Sequence, residues 1–309
     1  MGHAVIKVDN STIKKMEKQY ASFLSVKVPP GAVFTAKLTG CTITAYRSGK
    51  VLFQGQAAEI ESGKWGTQKE EPQKKALQKQ TFSRYQPPTN IATMSIIGSD
   101  EVGTGDFFGP ITVVAAYVKK EQLLLLQELG VKDSKHLKDP QIIKIAENLI
   151  HTIPYSLLVL NNEKYNQLQQ KGMSQGKMKA LLHNQAIQHL LKKLDPEKPE
   201  GMLIDQFVDP AIYFKHLQGK TFQTEHTYFS TKAEGIHLAV AAASIIARYS
   251  FVKEFDKLSL TAGVTIPKGA GAKVDQVAAE IIRLKGIDFL TTLTKKHFAN
   301  TEKAIRLSR

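Results

Sequence analysis

From Met94 onward the chain alternates apolar runs of strand length with longer segments of helical period, and no other feature limits its fold as much. SIIGSD and ITVVAAYV predict strands, PQIIKIAENLIHTI a helix, YSLLVL a strand, and KMKALLHNQAIQHLLKKL a long helix ahead of the strand GMLID. This order predicts an α/β domain, because elements that alternate in this way bury their apolar faces in layers. IHLAVAAASIIARYSFVKEF predicts a further helix whose alanines let it lie close on the sheet, and VDQVAAEIIRLKG a later one.

Residues 3 to 66 follow a different pattern. AVIKV predicts a strand, and NSTIKKMEKQYASF opens with an N-cap candidate and spaces Ile13, Met16, Tyr20 and Phe23 at helical intervals. VFTAKLTG, CTITAYR and VLFQG alternate as strands, RSGK supplies a hairpin turn, and AAEIESGKWG predicts a closing helix. Antiparallel strands backed by helices leave one sheet face free. TQKEEPQKKALQKQTFSRYQPPTN is polar, charged and ends near prolines, which predicts a linker with a short helix inside it. The expected division is a small N-terminal α+β domain over residues 1–68, a linker over 69–93 and the α/β domain over 94–309.

A net charge of +14 predicts attraction to polyanions, nucleic acid first and anionic membrane second. Residues 1–90 carry 14 Lys and Arg against 6 Asp and Glu, so the smaller N-terminal part is the more basic. No run of about 18 apolar residues marks a membrane span, and MGHAVIKVDN lacks the apolar core of a secretory signal, so a cytoplasmic monomer is expected. The single cysteine, Cys41, excludes an internal disulfide and a thiolate zinc site and reads as a small buried hydrophobe.

GSDEVGTGDFFGP sets Asp100 and Glu101 together at the end of an apolar run, with Gly103 and Gly105 just beyond. Neighbouring side chains on a regular strand face opposite sides, so the pair can address one site only where the strand ends or bulges, and Gly103 with Gly105 allows that bend. Asp205 ends the strand MLID, and Glu234 precedes the alanine-rich helix. Carboxylates gathered from such segments repel unless a divalent cation neutralises them, and hard oxygen donors favour magnesium or manganese. Metal-assisted phosphodiester hydrolysis by a basic protein is the chemistry this pattern suggests.

DEVGTGDFFGP, KDSKHL, LIDQF and AAASIIAR, in this order within residues 98–248, resemble the type 2 ribonucleases H. GTG, Glu234 and the extra basic N-terminal domain make the HIII branch the nearest resemblance. The resemblance implies a ribonuclease H-like domain with a mixed sheet flanked by helices, and an N-terminal domain shaped like the TATA-binding protein that binds substrate. It implies an endonuclease that hydrolyses the RNA strand of RNA/DNA hybrids with Mg2+, Mn2+ being the alternative. Incision at single ribonucleotides in DNA, and a non-catalytic nucleic-acid-binding protein, are the competing readings.

By the same resemblance Asp100, Glu101, Asp205 and Glu234 hold the metals and act in catalysis. Asp209, four residues after Asp205, competes with Glu234 for the fourth place, although FVDPA also reads as a turn in which it caps a helix. Gly103, Thr104 and Gly105 are expected to meet the ribose 2′-hydroxyl through backbone groups, and Ser134, Lys135, Ser244 and Arg248 to contact phosphates. His297 matches a family position near the site and stays outside the catalytic set.

Overall fold

The computed structural model describes residues 2–65 and 84–309, and the short helix expected within the linker lies outside the described residues. The chain divides into two compact units, Met1–Thr81 and Phe82–Arg309. In the first unit the elements run β1 (His3–Lys7), α1 (Asn10–Gln19), β2 (Ala32–Leu38), β3 (Cys41–Tyr46), β4 (Lys50–Gln54) and α2 (Ala58–Gly63). The strands form an antiparallel sheet in the order β1-β4-β3-β2. Asp9, one residue earlier than the NST expected to open the helix, caps α1 by accepting from the Thr12 N–H at 2.7 Å. Ile13 and Met16 of α1 join Ile6, Phe34, Ile43, Val51 and Phe53 of the strands in one apolar cluster with the buried Cys41. Strand alternation then places Val5, Leu52, Thr44 and Thr35 in a row on the other face, beside a second row of His3, Gln54, Thr42 and Lys37.

The second unit is α/β. Its elements are β5 (Ile96–Val102), β6 (Ile111–Val118), α3 (Leu123–Glu128), α4 (Asp139–Thr152), β7 (Tyr155–Leu160), α5 (Asn162–Gln170), α6 (Gln175–Leu194), β8 (Gly201–Asp205), α7 (Pro210–His216), β9 (Thr227–Ser230), α8 (Leu238–Ala262), α9 (Ala272–Leu293) and α10 (Asn300–Ser308). The sheet order is β7-β6-β5-β8-β9, with β6 antiparallel to β5 and β7, and β8 parallel to β5 and β9. Helices α4 and α8 bury one face of this sheet, while α6 and α7 bury the other. Tyr85, from the segment expected to be linker, packs its ring on Phe214 and Phe229 within this unit.

Gly98 decides how closely α8 can lie on the sheet. A Cβ there would sit 2.2 Å from the backbone of Ala239 and Val240, so the glycine and the alanines of α8 are two halves of one contact. The contact carries α8 across β5 and brings Ser244 of α8 over Asp100. Because β5 and β8 are parallel neighbours, their C-terminal ends lie side by side, with Ser99 paired to Ile204. Asp100 and Asp205 are the next residues of those strands.

Candidate active site

Four acidic residues from three segments gather near the ends of β5 and β8, close enough to influence one another's charge. Asp100 is buried beside the Ser244 side chain on the α8 face. Glu101 points to the other face, where its two carboxylate oxygens accept from Lys179 Nζ at 2.8 Å and meet His183 Nε2 at 2.9 Å. The register of β5 on β6 runs unbroken through both acids, Asp100 opposite Val114 and Glu101 opposite Val113. No bulge falls at this pair; β5 ends at Val102 just beyond it, so of the two expected settings the structure shows the strand end. The acids straddle the strand, and the turn begins at Gly103.

Asp205 Oδ1 accepts the Ala233 N–H at 2.8 Å, which ties the end of β8 to the short turn Ala233–Gly235. That turn carries Glu234, itself buried, whose carboxylate accepts the Ser134 N–H at 2.8 Å and lies 3.4 Å from Lys135 Nζ. Ser134 Oγ lies 3.0 Å from Ser244 Oγ, and Arg248, one turn further along α8, donates to the Ser134 carbonyl at 2.8 Å and to the Asp139 carboxylate. Asp139 also accepts from Lys268 at 2.5 Å. Ser134, Lys135, Ser244 and Arg248 thus form a bracket around Glu234 and Asp100. Asp209 is the N-cap of α7, its carboxylate accepting the Ala211 N–H at 2.8 Å. His297 is exposed and stacks on Tyr165.

The charges of this region act on one another. Burial, then the neighbouring Glu101, and more weakly Asp205 and Glu234 push the Asp100 carboxyl well above its ordinary range, against the Ser244 hydrogen bond. Burial also raises Asp205, with Glu101 and Glu234 adding to it and the Ala233 N–H and Lys135 opposing. Burial alone would raise Glu101 too, but His183 and Lys179 outweigh it and hold that carboxyl below its usual value. Among the described residues no three His, Cys, Asp or Glu side chains are disposed to hold one ion as they stand. Glu101 is turned to Lys179 and His183, and Glu234 to Ser134 and Lys135. The donor set still fits a hard divalent cation: these are carboxylate oxygens whose mutual repulsion a cation would relieve.

The glycine turn beside the acids separates into two parts. Gly103 has φ +98°, and a Cβ there would meet the Pro110 carbonyl at 2.2 Å and the Phe251 ring, so the fold itself requires glycine. Gly105 is exposed, and a Cβ there would meet nothing within 4 Å. The fold does not demand its bareness.

Comparison with known proteins agrees with this layout. The sequence model of the ribonuclease HII family matches residues 97–301, and a domain family of unknown function, DUF3378, matches residues 3–78. The ribonuclease HIII of Bacillus subtilis strain 168 is 66% identical over 308 residues, covering 100% of this chain and 98% of its own. The chain belongs to the ribonuclease HIII family. It is thus a hydrolase of the ribonuclease H type, which cuts the RNA strand of RNA/DNA hybrids. The solved structure of Bst ribonuclease HIII in complex with Mn2+ superposes with a TM-score of 0.70 at 44% identity, covering 100% of this chain and 99% of that one. The ribonuclease H2 of Pyrococcus horikoshii, 24% identical, shares the fold with a TM-score of 0.58 over 70% of this chain and 100% of its own.

Sequence reasoning missed the residues around Glu101. Lys179 and His183 stand one turn apart on α6, Lys179 Nζ lies 4.1 Å over the Phe207 ring, and His183 Nδ1 lies 2.7 Å from Ser99 Oγ. Their only trace in the sequence is a lysine and a histidine at i and i+4 in KMKALLHN, on a helix that otherwise reads as core.

Proposed function

We propose that this family member hydrolyses the RNA strand of RNA/DNA hybrids with Mg2+ held by Asp100, Glu101, Asp205 and Glu234, with Mn2+ as a substitute. The observation that carries the reading is the raised Asp100 carboxyl, buried among three further acids at the ends of parallel neighbouring strands. A buried acid under that repulsion marks a place built for a cation. When bound there, a divalent metal would supply Lewis-acid stabilisation of the phosphate's charge. The chain's own part is to hold the ligands: Ser134 and Lys135 orient Glu234, Ala233 orients Asp205, and Lys179 with His183 keeps Glu101 ionised. Exposed backbone at Gly105 reads the ribose, because 2′-hydroxyls both donate and accept hydrogen bonds and a missing side chain lets them approach. The basic N-terminal domain, residues 1–68, binds the hybrid through its open sheet face, and the protein works as a cytoplasmic monomer.

Digestion of labelled duplexes that differ only in ribonucleotide content tests the reading. With Mg2+ or Mn2+, a duplex containing several consecutive ribonucleotides is cut, while its DNA/DNA and RNA/RNA counterparts are not, and chelator stops the reaction. Equal cleavage of all three duplexes would remove the hybrid specificity, and efficient incision at a lone ribonucleotide would favour HII-like activity.

A further inference from the structure

The turn from Gly103 to Gly109 is gripped from inside by side chains of three other elements. Lys295, in the connection between α9 and α10, is fully buried, and its Nζ donates to the carbonyls of Asp106 at 2.8 Å and Gly109 at 2.6 Å. Asn162, at the start of α5, donates to the same Gly109 carbonyl at 2.9 Å. Gln175, the first residue of α6, donates through Nε2 to the Thr104 carbonyl at 3.1 Å and to the Tyr165 hydroxyl at 3.1 Å. The main chain adds Lys295 N–H to the Phe107 carbonyl at 2.8 Å and Gly109 N–H to the Leu293 carbonyl at 3.0 Å.

Burial draws the Lys295 amine down to about 7, against the pull of Asp106. Tyr165, whose ring centroid lies 5.9 Å from Nζ, and His297, stacked on Tyr165, are the other titratable groups on this side of the turn.

Gln175 has the most direct bearing on recognition. A trans peptide places its N–H opposite its carbonyl, so drawing the Thr104 carbonyl inward directs the Gly105 N–H outward, at the one position of the turn that is exposed and open. We propose that Gln175, backed by Lys295 and Asn162, is a specificity-positioning residue that fixes the Thr104–Gly105 peptide with its N–H aimed at a ribose 2′-hydroxyl of the RNA strand. The proposal rests on the reading of this turn as the ribose sensor.

The test is binding of the full chain to a hybrid and to the all-DNA duplex of the same sequence, in chelator so that no strand is cut. Gln175→Leu removes the donor while keeping the bulk. Its hybrid affinity falls about tenfold, the worth of one aligned hydrogen bond, while DNA affinity and the melting temperature stay unchanged. In the cleavage assay KM rises more than kcat falls. Lys295→Met shifts the hybrid-to-DNA ratio in the same direction wherever it folds, and Gln175→Leu decides alone if it does not. An unchanged ratio in Gln175→Leu, or an equal loss on both duplexes, overturns the proposal. Gly105→Ala separates the two levels. If it cuts and binds hybrid normally, the ribose-sensing reading fails and the proposal with it; if it is impaired while Gln175→Leu is silent, only the positioning role fails.

Discussion

Asp100 and Glu101 are neighbours in sequence with opposite electrostatic surroundings. Asp100 is raised by burial and nearby carboxylates, whereas Glu101 is held down by His183 and Lys179. The sign of the resulting pH dependence follows from linkage. A carboxyl raised in the folded state binds protons there more tightly than in the unfolded chain, so it withdraws stability as pH climbs from the ordinary aspartate range through its raised value. Asp100→Asn therefore raises the melting temperature of the metal-free protein at neutral pH, about 2–4 °C for each kcal/mol relieved, and the gain disappears in acid near pH ~3. Thermal melts in chelator across pH check this; a variant that melts lower at pH 7 would contradict it. The same change, like Asp205→Asn and Glu234→Gln, lowers kcat by about a hundredfold or more, since a metal's charge stabilisation is worth several kcal/mol. Asp209→Asn leaves turnover nearly intact and α7 in place, because its side chain serves the Ala211 N–H and an asparagine oxygen accepts that N–H equally well. A Mg2+ titration of Glu234→Gln beside Asp209→Asn decides the fourth ligand, and an inactive Asp209→Asn with an active Glu234→Gln would reverse the assignment.

At the scale of elements, the crossing of α8 over β5 sets the site, and Gly98 is its weakest point. Gly98→Ala puts a methyl against the backbone of Ala239 and Val240, which cannot yield as a side-chain tip would, so overpacking costs about 1–3 kcal/mol or more. Urea unfolding measures the loss, and cleavage falls as Ser244 shifts off Asp100; full stability would show that α8 moves freely. This crossing also marks the reach of the sequence. The alanines of α8 announced a close approach, but the glycine they meet lies in another segment far along the chain. Strands β5, β6, β7 and β8 were legible because each carries an apolar run of strand length. Strand β9, TYFS, was missed, since four residues after a polar loop carry too little periodicity to register. The four acids were proposed from motif resemblance, and the setting of Asp100 and Glu101 at a strand end was legible from the glycines that follow, with period-two alternation holding to the end of β5. Lys179, His183, Gln175 and Lys295 left almost no trace, as their partners lie on other elements.

At the scale of the molecule, charge and chemistry are divided between two units. Residues 1–81 hold 13 Lys and Arg against 6 Asp and Glu, and none of the four acids. A chain beginning at Phe82 keeps the Tyr85 contacts with Phe214 and Phe229 and retains cleavage at saturating hybrid. Its affinity falls at low salt, and the slope of log affinity against log salt becomes shallower by about 0.7–0.9 for each phosphate that is no longer neutralised. Filter binding at several salt concentrations checks this, with melting as a control for folding; unchanged low-salt affinity would deny the first unit a binding role. The second unit has a further property in its wiring. Strand β5 pairs in parallel with β8, Glu234 arrives after β9, and Lys295 closes the turn from the far side of α9. A ribosome makes Asp100 before Asp205, Glu234 and Lys295. Strand β5 can pair with β6 as soon as that strand follows it, but it waits for β8 and for the turn that carries Glu234. A nuclease wired in this order cannot bring its four acids together before Glu234 has been made.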